Sequence, residues 1–182
     1  FDASLILKYL IDEADFTDTQ RHYANVTQSD NVSALDASMI LKYTTGSVDS
    51  LPVQDKPNLM ASGSVVMSDV ESETGSEVVI PVDLRDGHNI YALSGKMTYN
   101  SNELKFLGFE NNGRNSFQIA SSANADTVRF VAISSEPVNG DGRLLNPKFE
   151  HTSKGSEGAN TVALRQLQWN ENDTLYDIAA SK

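Results

Sequence analysis

Ten residues at the start of the chain return 34 positions later. Phe1-Asp2-Ala3-Ser4-Leu5-Ile6-Leu7-Lys8-Tyr9-Leu10 recurs as Leu35-Asp36-Ala37-Ser38-Met39-Ile40-Leu41-Lys42-Tyr43-Thr44, with seven of the ten positions identical. A segment carried twice is expected to build the same local element twice. Each copy predicts a helix, because Leu5 with Tyr9, and Ile6 with Leu10, are i,i+4 neighbours on one apolar face. Asp2 and Asp36 stand where a side-chain oxygen can accept an orphan amide hydrogen bond of the first turn. Gly46 follows the second copy where a helix is left through a left-handed residue. Between the copies, residues 17–23 predict a short helix capped by Thr17 or Asp18. The first copy opens inside its motif at Phe1, so the chain is expected to be part of a longer one.

The pattern changes beyond residue 46. GSVDSLPVQDKP carries two prolines and no periodicity, so 47–58 reads as a linker between a helical part, 1–46, and a second part, 59–182. In the second part the runs 64–70, 77–84, 92–99, 104–109, 127–134 and 161–167 are strand-like. They are separated by the turn-rich clusters ETGS, RDGHN, NSNE, ENNGRN, NGDG and KGSEG. Short strands at this spacing predict a β-sandwich. The expected fold class is α + β multidomain, a small all-α module followed by an all-β jelly roll or sandwich. Alternation puts Leu93, Met97 and Tyr99 on one face with Gly95, and Ala92, Ser94, Lys96 and Thr98 on the other. On 128–133 it separates Val128, Phe130 and Ala132 from Arg129, Val131 and Ile133. The outward Val131 and Ile133 are expected either to lie under loops or to form a protein-docking patch.

Charge and composition remove several function classes. With 25 acidic against 14 basic residues the formal charge is −11, the wrong sign for neutralising phosphates. No cysteine is present, which removes disulfides, thiolate nucleophiles and thiolate metal sites. No apolar run approaches the roughly 20 residues of a membrane-spanning helix. His22, His88 and His151 fall in no metal-binding or catalytic spacing, there is no G-x-S-x-G or phosphate loop, and Asp83 and Asp86 read as solvated charge near a turn. Catalysis is not expected of this chain.

The duplicated Asp-Ala-Ser-x-Ile-Leu-Lys-Tyr segment resembles the helix that follows each calcium loop of a dockerin. Dockerins are small paired-loop modules that attach secreted polysaccharide-degrading enzymes to a scaffold. The resemblance implies an EF-hand-like loop of alternating oxygen ligands closed by an acid. Aligned backwards from Asp36, the second loop offers Asn25, Thr27, Ser29 and Asn31 at successive ligand positions, with Ser33 two further on. Neutral Asn25 and Ser29 replace the usual acids, and Asp30 replaces the turn glycine. Because calcium affinity follows ligand charge, binding is expected to be weak or absent, and Asp2 and Asp36 are read as helix caps in preference to metal ligands. The tight NGDG at 139–142 imitates the core of such a loop but lacks flanking carboxylates, and reads as a turn between strands. The resemblance also implies protein recognition at Ala34, Leu35 and Lys42, and at Phe1 and Lys8 in the first copy.

GSEVVIPVDL (75–84), IYALSGKMTYNSNEL (90–104), VRFVAIS (128–134), GDGRLLNPKFE (140–150) and GANTVALRQLQWNEN (158–172) together resemble a cohesin, the β-sandwich receptor for dockerins. In that family the outward face of the strand matching 92–98 carries a polar pair that touches the dockerin, and here those positions hold Ala92 and Ser94. Lys96, Arg129, Val131 and Ile133 lie on the same predicted face. The expected function is a non-catalytic assembly segment of a secreted or cell-surface bacterial polysaccharide-degrading system. Its partner would be another cohesin or dockerin module, in cis or in trans. The alternative is a carbohydrate-binding sandwich that uses Tyr91, Trp169 and Tyr176. A helical part of about 50 residues buries too small a core to stand comfortably alone. It is therefore expected to lean on its own sandwich or on a neighbouring copy.

Overall fold

A computed structural model describes residues 2–53, 60–110, 117–152, 160–171 and, for the backbone, 176–179. The helices are α1 (Ala3–Leu10), α2 (Asp18–Ala24) and α3 (Ala34–Thr44). Their ends follow from their caps. Asp2 accepts the Ser4 N–H at 2.9 Å at the start of α1. Thr17 and Gln20 form a reciprocal capping box on α2. α3 starts three residues earlier than the repeat suggests, with Ser33 as its cap. Asp36 is therefore not the cap but the third helical residue, and its Oδ2 accepts the Ser33 N–H at 2.8 Å. Both repeat helices leave by the same device. Ser47 N–H donates to Lys42 O and Glu13 N–H to Lys8 O, each at 2.8 Å. Gly46 and Asp12, 34 positions apart, take the left-handed conformation.

Among the described residues nine strands follow: β1 (Ser62–Met67), β2 (Glu77–Val79), β3 (Val82–Thr98), β4 (Leu104–Phe109), β5 (Gln118–Asn124), β6 (Thr127–Leu145), β7 (Pro147–His151), β8 (Ala163–Trp169) and β9 (Tyr176–Ala179). A six-stranded sheet runs β5-β6-β3-β8-β9 with β1 also paired to β3, facing a three-stranded sheet β2-β7-β4. Every pairing is antiparallel. The core between the sheets holds Leu93, Met97, Tyr99, Val128, Phe130, Ala132, Phe149, Leu164 and Trp169. Tyr99, Phe149 and Phe106 meet edge to face across it.

Two expected turns are corrected. RDGHN (85–89) and NGDG (139–142) lie inside the long strands β3 and β6 and face each other, with Leu84 opposite Gly142, Gly87 opposite Gly140 and Ile90 opposite Val138. Each stretch reads as a turn because it is polar and glycine-bearing, but the two irregularities compensate as paired bulges. Asp86 and Asn89 take positive φ, and their amides donate at 2.8 Å to the side chains of Asp141 and Asn139. Gly87 is required by close approach, since a Cβ there would stand 2.3 Å from Leu84 Cδ2. Residues 111–115 of ENNGRN and all of KGSEG lie outside the described residues.

The helices form a third layer on the other face of the six-stranded sheet. A second apolar cluster joins Ile6, Leu7, Ile11, Phe16, Ala34, Leu35, Met39 and Ile40 to Tyr91, Ala92, Val131 and Ile133 of β3 and β6. Val53, inside the stretch read as a linker, belongs to the same cluster, and its N–H donates to Val26 O at 3.1 Å. No described helix is long and apolar enough to cross a membrane.

Candidate protein-interaction face

The outer face of β3 and β6 is apolar where α3 crosses it and polar beyond. Ala92, Val131 and Ile133 have no exposed surface, although alternation turns them away from the sandwich core. Burying each large aliphatic contributes about 1.5–3 kcal/mol, so this patch is a substantial share of what holds the helical layer in place. Polar contacts fix its register. Ser38 Oγ donates to Ser134 O at 2.7 Å in a buried hydrogen bond. Lys42 Nζ lies 4.4 Å from the Tyr91 ring centroid, a cation–π contact. Arg129 Nε and Asp12 Oδ2 pair at 3.0 Å, both well exposed, which contributes only about 0–1 kcal/mol.

The predicted interaction residues divide by this layering. Ala34 and Leu35 are buried in the helical cluster, and Lys42 sits on Tyr91. Ala92, Val131 and Ile133 lie beneath α3, so they present no open docking patch. They are covered by the chain's own helical segment rather than by loops. Ser94 and Lys96 are half-buried and Arg129 is exposed. They line a groove of about 260 Å³ beside Leu10, with Gln166 and Gln168. Lys8 is exposed on α1, and Phe1 lies outside the described residues. Two of the three rings named for carbohydrate, Tyr91 and Trp169, are buried. Trp169 is fully buried in the sandwich core and Tyr91 is nine-tenths buried beneath Lys42, while the Tyr176 side chain lies outside the description. Asp83 is engaged by Arg143 Nε at 2.7 Å.

The loop before α3 brings its expected ligand residues together. Asn25 Oδ1 accepts the Ser29 N–H at 3.0 Å, and Ser29 Oγ donates to Asn31 O at 2.9 Å, so Asn31 contributes its backbone carbonyl. Asp36, fully buried, accepts the Thr27 N–H on Oδ1 and the Ser33 N–H on Oδ2, each at 2.8 Å. Burial raises the Asp36 carboxyl above its ordinary value and the nearby Glu171 charge adds to the rise, while the amides of Thr27 and Ser33 oppose it.

Glu171 is the residue that sequence reasoning missed. It lies 135 positions beyond Asp36, in the turn after β8, with nothing in its local sequence to announce it. Its Oε1 accepts from Thr27 Oγ1 at 2.7 Å, Ser29 Oγ at 3.0 Å and Ser33 Oγ at 2.7 Å. Asn170 delivers it there. With φ at 45°, Asn170 accepts the Tyr91 and Ala92 amides on Oδ1 at 2.9 and 3.0 Å, and donates from Nδ2 to Asn89 O at 3.0 Å. The turn is thereby locked to β3, directly beneath the helical layer.

A family model described as the cohesin domain matches residues 63–179. No curated protein matches the chain. Among solved structures it is similar to the cohesin module of a family 33 glycoside hydrolase from Clostridium perfringens. The TM-score is 0.52 at 15% identity, covering 69% of this chain and 95% of that one. The sixth cohesin of scaffoldin B from Acetivibrio cellulolyticus, solved with a mutant dockerin, aligns with a TM-score of 0.47 at 21% identity, covering 65% of this chain and 92% of that one. A non-cellulosomal cohesin from the archaeon Archaeoglobus fulgidus has a TM-score of 0.47 at 16% identity, covering 58% of this chain and 75% of that one. At 15% identity the Clostridium perfringens likeness speaks for the fold alone, and the family assignment rests on the matched residues. With its sandwich matched from the first strand to the last, the chain belongs to the cohesin family, whose domains are non-catalytic interaction modules.

Proposed function

We propose that this cohesin-family sandwich recognises a dockerin-like helical module on the outer face of its six-stranded sheet. The chain's own helical segment, residues 1–46 with the adjoining 47–58, occupies that face in cis. Cohesin domains mediate protein–protein assembly with dockerins in cellulosome-type systems, which supplies the class of partner. The observation that carries the reading is the burial of Ala92, Val131 and Ile133 under α3. Three apolar residues on the outward face of a sandwich are costly unless something covers them, and here the cover is a helix of the repeated Asp-Ala-Ser-x-Ile-Leu-Lys-Tyr type. The assembly of which this chain is part is secreted or surface-attached and acts on polysaccharides.

The test keeps the whole chain. A protease site introduced within residues 54–59 is cut after folding, and the product is run on size exclusion at low micromolar concentration. The two pieces are expected to co-elute. Ser38→Tyr, which drives a ring into the buried contact with Ser134, is expected to separate them. Pieces that part freely in the wild-type sequence would refute the reading.

A further inference from the structure

The loop at 25–36 has the spacing of a cation site, but its donors are engaged differently. Asn25 Oδ1 is taken by the Ser29 amide, and each oxygen of Asp36 is taken by a backbone amide. What remains is a set of three hydroxyls, on Thr27, Ser29 and Ser33. A hydroxyl both donates and accepts, and all three lie within 3.0 Å of one oxygen of Glu171. A hard cation wants six to eight oxygens with their lone pairs free. The residues present do not fit one: Asp36 is the single carboxylate at the loop's ligand positions, Asn25, Thr27 and Ser29 are neutral, and the hydroxyls face Glu171.

We propose that the loop is a socket for the sandwich's Glu171. The hydroxyls of Thr27 and Ser33, with the Ser29 hydroxyl shared between Glu171 and Asn31 O, hold the carboxylate, which takes the role a metal ion would have in closing the loop, and the same contact latches the helical segment to the sheet. This rests on the docked arrangement argued above and names its polar determinant. Hydrogen bonds to an ionised acceptor are about twice as strong as neutral ones. The Asn170 turn holds Glu171 in place, so little ordering remains to be lost when the latch closes. Selectivity follows from the same chemistry. A loop with carboxylates at positions 27 and 29 would meet Glu171 with like charge and be rejected, whereas a hydroxyl-bearing loop is accepted.

The experiment combines calcium calorimetry with native-state amide exchange on the full chain, comparing wild type with Glu171→Ala and Glu171→Gln. The wild type is expected to take up no calcium at millimolar concentration. The α3 amides are expected to exchange roughly tenfold faster or more in the alanine variant, and by a smaller factor in the glutamine variant. The β6 amides facing the sandwich core should be unchanged in both. Calcium binding by the wild type that Glu171→Gln abolishes would overturn the proposal by making Glu171 a cation ligand. Unchanged α3 exchange in Glu171→Ala would overturn it by removing the latch. If the α3 amides of the wild type exchange as in an unfolded peptide, the docked arrangement itself fails and the latch falls with it. In that case Glu171 would not be the cause.

Discussion

Ile133→Ala separates the two apolar clusters of this protein. Ile133 is fully buried, yet it belongs to the cluster shared with the helices, while its strand neighbour Ala132 belongs to the sandwich core. Truncating a buried isoleucine to alanine costs about 2–4 kcal/mol, combining lost transfer energy with the cavity left behind. If the side chain stabilises only the docking of the helical layer, that cost falls on a sub-global opening in which α3 lifts while the sheets stay closed. The opening equilibrium should then rise roughly 30- to 1,000-fold. Native-state hydrogen exchange reads this directly. Amides within α3 should lose protection by that factor, while those of Val128 and Phe130 keep theirs. Leu93→Ala on the opposite face of β3 supplies the control, because it opens a cavity between the sheets and should lower protection throughout the sandwich. Equal loss of protection in α3 and in β6 for Ile133→Ala would refute the reasoning, since it would make helices and sheets one cooperative core. No loss in α3 would refute it too.

Two further outcomes follow from the turn chemistry. Asn170→Ala removes three side-chain hydrogen bonds to β3 and leaves the buried Tyr91 and Ala92 amides unsatisfied. A destabilisation of about 2–4 kcal/mol is expected by denaturant titration, together with faster α3 exchange because Glu171 loses its anchor. Asp126 is held below the ordinary carboxylate range by the Ser101 hydroxyl and amide that donate to it. Its contribution is therefore present above the unfolded carboxyl value and lost as the pH falls through the folded one. Ser101 amide exchange, corrected for intrinsic rates, should accelerate over that acidic window in the wild type and show no such step in Asp126→Asn.

Much of this architecture was legible in the residues because it depends on local periodicity. Alternation on 92–98 and 128–133 separates inward from outward side chains in agreement with the two clusters. The 34-residue repeat marks both of its helices, and Gly46 marks the exit of the second, whereas the matching exit at Asp12 is seen only in the structure. Other features depend on pairing across the fold and carry no local mark. β3 and β6 run through polar, glycine-bearing stretches because each irregularity is matched by one on its neighbour. β5, with the sequence QIASSAN, is an edge strand, half-exposed and rich in small polar residues, so its pattern is weak. At the loop, the resemblance to a dockerin calcium loop gathers Asn25, Thr27, Ser29, Asn31 and Asp36. What the loop faces depends on Glu171, more than a hundred residues away and positioned by the Asn170 turn. Spacing in one segment holds no information about a side chain brought in from another.

The helical layer sits on the outward face of the sandwich. Methyl-labelled NMR of the intact chain tests it most directly, through nuclear Overhauser contacts from Val131 and Ile133. Contacts from both residues to methyls of the 34–40 helix, persisting on dilution, are predicted. Methyls at these positions that meet only water and their own strands would contradict the account.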